Sequence, residues 1–414
     1  MKIQVYHYIY QSHNMNLNAL RKAFGVLYSD MQRAFAACHS TTLTPVVKTV
    51  DSRRSLPLPS GFSSGSDYFP DEIRDHILDE PSVAITYNFS VGDRKVVLHF
   101  VEFNQQPAQL NMKELLAHAE RVCALLHLVS LHANRSTCSS KLCIYVYLTD
   151  FKKRFPTRKG ATLDAEHVNT GMSYHCAKDN DVVVYRREEW FKVLIHELFH
   201  AMGLSFIDGD MPAGVDAAMQ AVLQKMYAIS HPVRVYETYC EIWARVLNVV
   251  FDCFIAHDHD EISTPLQLQV FMECVMERLH ADAKFAHTQC GKLLKYMDLT
   301  HDVLGNPTPD NRALVAKKYR ENTNVFAYYV LTCLLLHSPD AFMTWCYKNN
   351  PCDKTKTATH IMQFRTIPSN FNGFMELLRH CKQQCPRFDS HGLNDSDVLG
   401  SSMRMTTHDH DHAA

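Results

Sequence analysis

The chain has no excess of charge of either sign, with 42 Lys and Arg against 44 Asp and Glu and a formal net charge of -2. A near-neutral protein has no general attraction for nucleic acid or for an acidic membrane surface. No nucleic-acid partner is therefore expected, and any partner must be recognised locally. Long apolar runs are missing too. The longest candidate, Val325 to Leu336, falls short of the roughly 18–20 residues that cross a bilayer and contains two tyrosines. No charged-then-apolar leader is visible in the first residues, so the reading is a cytoplasmic protein without a membrane span. The 14 cysteines lack the dense spacing of a small secreted scaffold, which leads us to expect reduced thiols. Cys381 and Cys385, beside His380, show no matching second pair in the sequence nearby. No internal repeat is found.

What is present is a chain of 414 residues, 46% apolar, long enough for a substantial core. Between Val46 and Gly65 the composition shifts to Ser, Pro, Gly and charge, which favours an extended loop. Residues 1–68 are accordingly expected to be an appendage and linker. Strand patterns follow at Lys95–Val101, Leu142–Leu148 and Val182–Tyr185, with a helix near Met112 to Leu131 and another from about Glu188. This order predicts an α+β fold with a small mixed sheet over residues 69–262. After Pro232 the pattern is helical, near Val233–Phe254, Leu266–His280, Ala313–Tyr319, Val325–Leu336 and Phe371–Cys381, so residues 263–386 read as a helical subdomain. Residues 387–414 are polar, end in a His/Asp tract and are expected to be disordered.

Residues 191 to 204 read Phe-Lys-Val-Leu-Ile-His-Glu-Leu-Phe-His-Ala-Met-Gly-Leu. His196 and His200 stand one helical turn apart on one face, a spacing that lets two imidazoles reach one ion. Zinc accepts neutral imidazole nitrogen and, in a catalytic site, keeps one place for water. Glu197, beside the first histidine, is placed to take that water's proton and pass it to a leaving amine. A bare His-Glu-x-x-His is a weak signal in a chain with 25 histidines. Context strengthens it, because apart from these residues and Lys192 the stretch from Trp190 to Leu204 is apolar or small, and so is expected to be buried. Ionisable groups in a core need partners, and a metal supplies one.

For a third ligand, a histidine three residues after Gly203 is ruled out because that position is Phe206. Downstream, a helix opening near Pro232 carries Glu237 and Glu241 on one face. With Arg245 they also read as a surface charge ladder.

His-Glu-x-x-His followed by a second helix with Glu-x-x-x-(Asp/Glu) resembles the gluzincin clan of zinc metallopeptidases. That resemblance implies one zinc per chain, Glu237 as third ligand and Glu241 as the acidic residue that orients a ligand histidine. The chain departs from the clan in having Glu at 241 and Tyr236, not Asn, before the ligand. Both glutamates therefore stay open as the ligand, with Glu237 preferred. The segments His167–Tyr174 and Asp181–Phe191 are also similar to uncharacterised zincin-like proteins of large DNA viruses, which implies a viral protein and allows virion association. In zincins an edge strand before the active-site helix binds substrate backbone, which by position would involve Val168, Asn169, Thr170 and Gly171. An ordinary core-edge strand fits that segment as well.

An oxyanion donor across the cleft is sought in Tyr328 or Tyr329, with His257 and His259 as alternatives. The leading expectation is a peptidase acting on a peptide or protein. The alternatives are a catalytically silent zincin-fold binding or virion-associated protein, and a metal-free helical scaffold in which the motif is accidental. Oligomeric state is not legible.

Overall fold

The computed structural model describes residues 17–50, 52–60, 62, 69–133, 137–256, 265–350, 360–389 and 392–408. Its architecture is α+β, as the sequence predicts. Six strands form one mixed sheet: β1 (Pro45–Val50), β2 (Ser82–Val91), β3 (Arg94–Phe103), β4 (Lys141–Tyr147), β5 (Gly171–Ser173) and β6 (Asp179–Val184), in the order β1-β2-β3-β4-β6-β5. The first three strands are antiparallel neighbours, β3, β4 and β6 run parallel, and β5 closes the sheet antiparallel to β6. The β2–β3 hairpin turns through Gly92, whose φ of 55° suits the first position of a two-residue connection.

The longer helices are α1 (Leu17–His39), α2 (Asp71–Asp79), α3 (Met112–His132), α4 (Trp190–Ala201), α5 (Val215–Met226), α6 (Val235–Ala256), α7 (Pro265–Tyr296), α8 (Pro309–Lys318), α9 (Thr332–Leu336), α10 (Pro339–Asn349) and α11 (Pro368–Gln384). One turn of π-helix, Phe326–Leu331, leads directly into α9. The crossover between parallel β3 and β4 is α3, whose Asn111 caps the first turn by accepting from the Glu114 amide. One sheet face packs against α2 through Ile73, Ile77, Val101, Tyr147 and Tyr185. The other face, with Ile85, Leu98, Ile144 and Val184, joins a single continuous core with α1, α3, α4, α6 and the C-terminal helices.

That continuity corrects several boundaries. The segment before residue 69 is no appendage: α1 buries Leu20, Phe24, Leu27 and Met31 in the main core, and Pro45–Val50, expected as loop, pairs with β2. Nor do residues 263–386 form a separate core, because α6 contributes to the same cluster as α7 and α11. Downstream of Arg387, Val398, Met403, Met405 and Thr406 are buried. The expectation of disorder holds for none of the described residues there, since backbone amides of this segment find carboxylates in the core: Met405 and Thr406 donate to Glu189, and Thr407 donates to Asp282. Positions 409–414 lie outside the described residues.

Thiol pairing also departs from expectation. Cys138 and Cys176 form a disulfide, as do Cys253 and Cys274. A scan of linear spacing cannot see partners that the fold brings together from 38 and 21 residues apart. Among the described residues no helix is long and apolar enough to cross a membrane.

Candidate metal centre

Helices α4 and α6 lie side by side at the centre of the molecule, and nearly every residue of both is buried. The apolar stretch around the histidines explains the burial of α4. For α6, burial excludes the surface charge ladder: Glu237, Glu241 and Arg245 are 8%, 2% and 2% exposed. Arg245 instead pairs with buried Asp282 of α7 at 2.6 Å.

The facing sides of the two helices bring four predicted residues together. Nε2 of His196 is 3.3 Å from Nε2 of His200 and 3.1 Å from Oε2 of Glu237, and His200 Nε2 is 3.4 Å from the same oxygen. Ligand atoms about 2.0–2.1 Å from a tetrahedral zinc ion are separated by about 3.3 Å, so these three atoms already outline one face of such a site. The donor set, two imidazoles and one carboxylate, fits zinc. Glu241 stands behind them, with Oε2 3.1 Å from Nδ1 of His196. An ionised carboxylate can only accept, so Nδ1 donates to Glu241 and Nε2 to Glu237, and a cation bound at the centre would replace the Nε2 proton while Glu241 keeps the one on Nδ1.

Charge at this centre is strongly shaped by its surroundings. Burial disfavours the imidazolium of His196, yet the hydrogen bonds to Glu237 and Glu241 outweigh it and take the group up to about 10. His200 is likewise raised, its burial outweighed by Cys240 and Glu237. Burial opposes the charge on Glu237, but His200 and His196 hold it well below the usual carboxylate range. Glu241, equally buried, is brought down to about 2 by Lys192 and His196. The field that favours protons on the imidazoles is also the field that favours a cation between them.

Glu197 borders the same cleft of about 240 Å³. Burial pushes its carboxyl above the ordinary value, against the pull of His196 and His200. Its Oε2 accepts from Ser173 Oγ at 2.8 Å, which ties the carboxylate to β5. Gly171 makes that approach possible, since a Cβ there would meet Val183 O at 2.8 Å, Val193 Cγ1 at 2.8 Å and Glu197 Cγ at 3.0 Å.

The expected substrate-binding segment borders the cleft, but much of it is engaged elsewhere. Val168 is a core residue at 2% exposure. Asn169 gives its backbone oxygen to Arg186 and its side-chain oxygen to Thr323. Thr170 O accepts from Tyr185 N. Gly171, Met172 and Ser173 form β5 itself, at the end of the sheet.

The two tyrosines separate cleanly. Tyr328 reaches the centre, where its Oη donates to Glu237 Oε2 at 3.1 Å. Tyr329 turns away and donates to the carbonyl of Met403, and it does not line the cleft. That candidate is thereby removed. The π-turn sets the difference: Ala327 O receives Oγ1 of Thr332 at 2.9 Å and of Thr238, next to Glu237, at 3.2 Å, which locks the turn onto α6. His257 and His259 lie outside the described residues.

Sequence reasoning missed Ser173 and Lys192 as members of the centre. Lys192 Nζ lies 3.0 and 3.2 Å from the two oxygens of Glu241. Its signal was present, as the one lysine in an otherwise apolar helix. Cys381 is buried on α11 and the neighbouring His380 is exposed, whereas Cys385 faces a different group of side chains. No family model matches the chain, nor does any curated protein or solved structure.

Proposed function

We propose that the chain is a zinc-dependent metallopeptidase of the gluzincin kind, with His196, His200 and Glu237 as ligands. The observation that carries this is the triangle of Nε2, Nε2 and Oε2 with edges of 3.1, 3.3 and 3.4 Å, beside the buried carboxylate of Glu197 in one cleft. Zinc held there supplies a Lewis acid and lowers the pKa of a water towards 7.

The protein's own groups divide the remaining work. Glu197, with its carboxyl raised by burial, accepts a proton and returns it to the leaving amine. Tyr328, on the opposite wall, offers a hydroxyl to the oxyanion. Glu241 and Lys192 hold His196 in one tautomer. The edge strand β5 supports a peptide substrate, because an extended backbone can add to a sheet edge by main-chain hydrogen bonds.

The test is Glu197→Gln, with zinc content and cleavage of a peptide library measured together. The expected result is retained zinc with turnover reduced at least about 100-fold. Wild-type turnover in the variant overturns the general-base role. A wild-type protein that holds zinc and cleaves nothing points to a silent zincin-fold binding or virion-associated protein.

A further inference from the structure

A second group of metal-ligating side chains lies outside this centre, among the C-terminal helices. It brings together His287 from α7, Cys333 from α9, His337 at the end of α9 and Cys385 at the end of α11, with one ligand atom of each within 4.8 Å of all the others. We propose that these four residues bind a structural zinc ion.

The donor set is the first argument. Two thiols and two imidazoles make a closed tetrahedral zinc site, with all four places taken by protein, whereas a catalytic site keeps one open. Ligand atoms around zinc at about 2.0–2.3 Å are about 3.3–3.8 Å apart, so closing the group takes movements on the order of 1 Å. Rotation of side chains supplies movements of that size.

The second argument is unmet hydrogen-bonding capacity. Nδ1 of His287 and Nε2 of His337 are both buried and have no hydrogen-bond partner among the described residues. Buried polar atoms are normally satisfied, and a metal ion satisfies an imidazole nitrogen without requiring a further protein group. The two rings lie edge to face, with centroids 5.4 Å apart, and Cys333 is fully buried. Cys333 and His337 are separated by one helical turn, the spacing that lets two ligands on one helix share an ion.

The four residues come from three elements distant in sequence. Such a site would clamp α7, α9 and α11 together, whereas the disulfide carried by α7, Cys253–Cys274, joins that helix to α6. It would also fix α9, which continues from the π-turn carrying Tyr328. The site is independent of the peptidase reading, since it shares no residue with the first centre.

The experiment is metal analysis of the full chain, with cobalt as a spectroscopic substitute. Wild-type protein is expected to hold two zinc ions. One should survive His196→Ala and be lost in Cys333→Ser/Cys385→Ser. Cobalt-loaded wild type should show a thiolate-to-cobalt charge-transfer band that His196→Ala retains and the double serine variant lacks. That band also excludes metal held only by the His/Asp tract at the end of the chain, which contains no sulfur.

Should the double variant fail to fold, alkylation of wild type decides the matter. Cys333 and Cys385 are expected to be protected until a chelator is added. A single zinc lost with His196→Ala, absence of the thiolate band, or a disulfide between Cys333 and Cys385 in the native protein overturns the proposal.

Discussion

Glu241 and Lys192 are joined by two contacts of 3.0 and 3.2 Å, and the same glutamate holds Nδ1 of His196 at 3.1 Å. A buried ammonium, carboxylate and imidazole thus form one line ending at the proposed metal position. Because Glu241 acts through His196, Glu241→Ala should weaken zinc binding about 10–100-fold. Glu237→Ala removes a ligand and should weaken it further. Competition with a chromogenic chelator measures both, and the opposite order would exchange their roles.

Tyr328 and Tyr329 provide a paired test of the π-turn. Tyr328→Phe should keep its zinc and lose about 100–1,000-fold in kcat, the usual loss for an oxyanion donor. Tyr329→Phe should turn over normally and lose about 1–3 kcal/mol of stability, because the Met403 carbonyl is left without its buried donor. Steady-state kinetics and urea unfolding separate the two. Equal kinetic loss in both would show that neither tyrosine acts directly.

Gly171→Ala tests the close approach of β5 to α4. The added methyl would lie 2.8 Å from the Val183 carbonyl oxygen, and backbone cannot swing away as a side chain can. We expect a loss of about 1–3 kcal/mol from overpacking and a lower kcat with zinc retained, since Glu197 also borders the position. Unchanged kinetics would mean that the carboxylate tolerates displacement of the strand.

Acid should loosen the base of α4 through Glu189. Burial opposes the charge of this residue, but Lys153 and Lys192 bring it from 4.5 down to about 2. The unfolded chain therefore binds more protons between those values, and stability falls as pH drops from about 4.5 towards 2, by up to about 3 kcal/mol. Glu189→Gln should be less stable near neutrality and should flatten that part of the acid limb. Hydrogen exchange at the Met405 and Thr406 amides, both donating to Glu189, should accelerate in the variant. Unchanged exchange there would rule out this anchor.

Much of the centre was legible because its code is local. His196 and His200 are paired by the helical repeat, and Glu237 and Glu241 by the same repeat on the next helix. The central strands β3, β4 and β6 announced themselves as apolar runs. What was hidden depends on tertiary phase. Neighbouring tyrosines on one helix point in different directions, and only the π-turn locked to Thr238 decides that Tyr328 faces Glu237. The first strand, Pro-Val-Val-Lys-Thr-Val, lies on the sheet edge with mostly exposed side chains, so no alternating pattern marks it. His287, Cys333, His337 and Cys385 are scattered over about a hundred residues, and no spacing rule unites them.

The cleft is completed by a residue from far along the chain. Met405 contributes to its lining and lies with its sulfur 3.6 Å from Lys192 Nζ, while the adjoining amides bind Glu189 at the start of the histidine-bearing helix. During synthesis both histidines are made long before that closing segment, by about 10–40 s at about 5–20 residues per second. A nascent chain therefore carries the proposed ligands while one wall of their chamber is still missing, and on the proposed reading any assay of truncated or ribosome-bound forms should find zinc held loosely until residue 405 has docked.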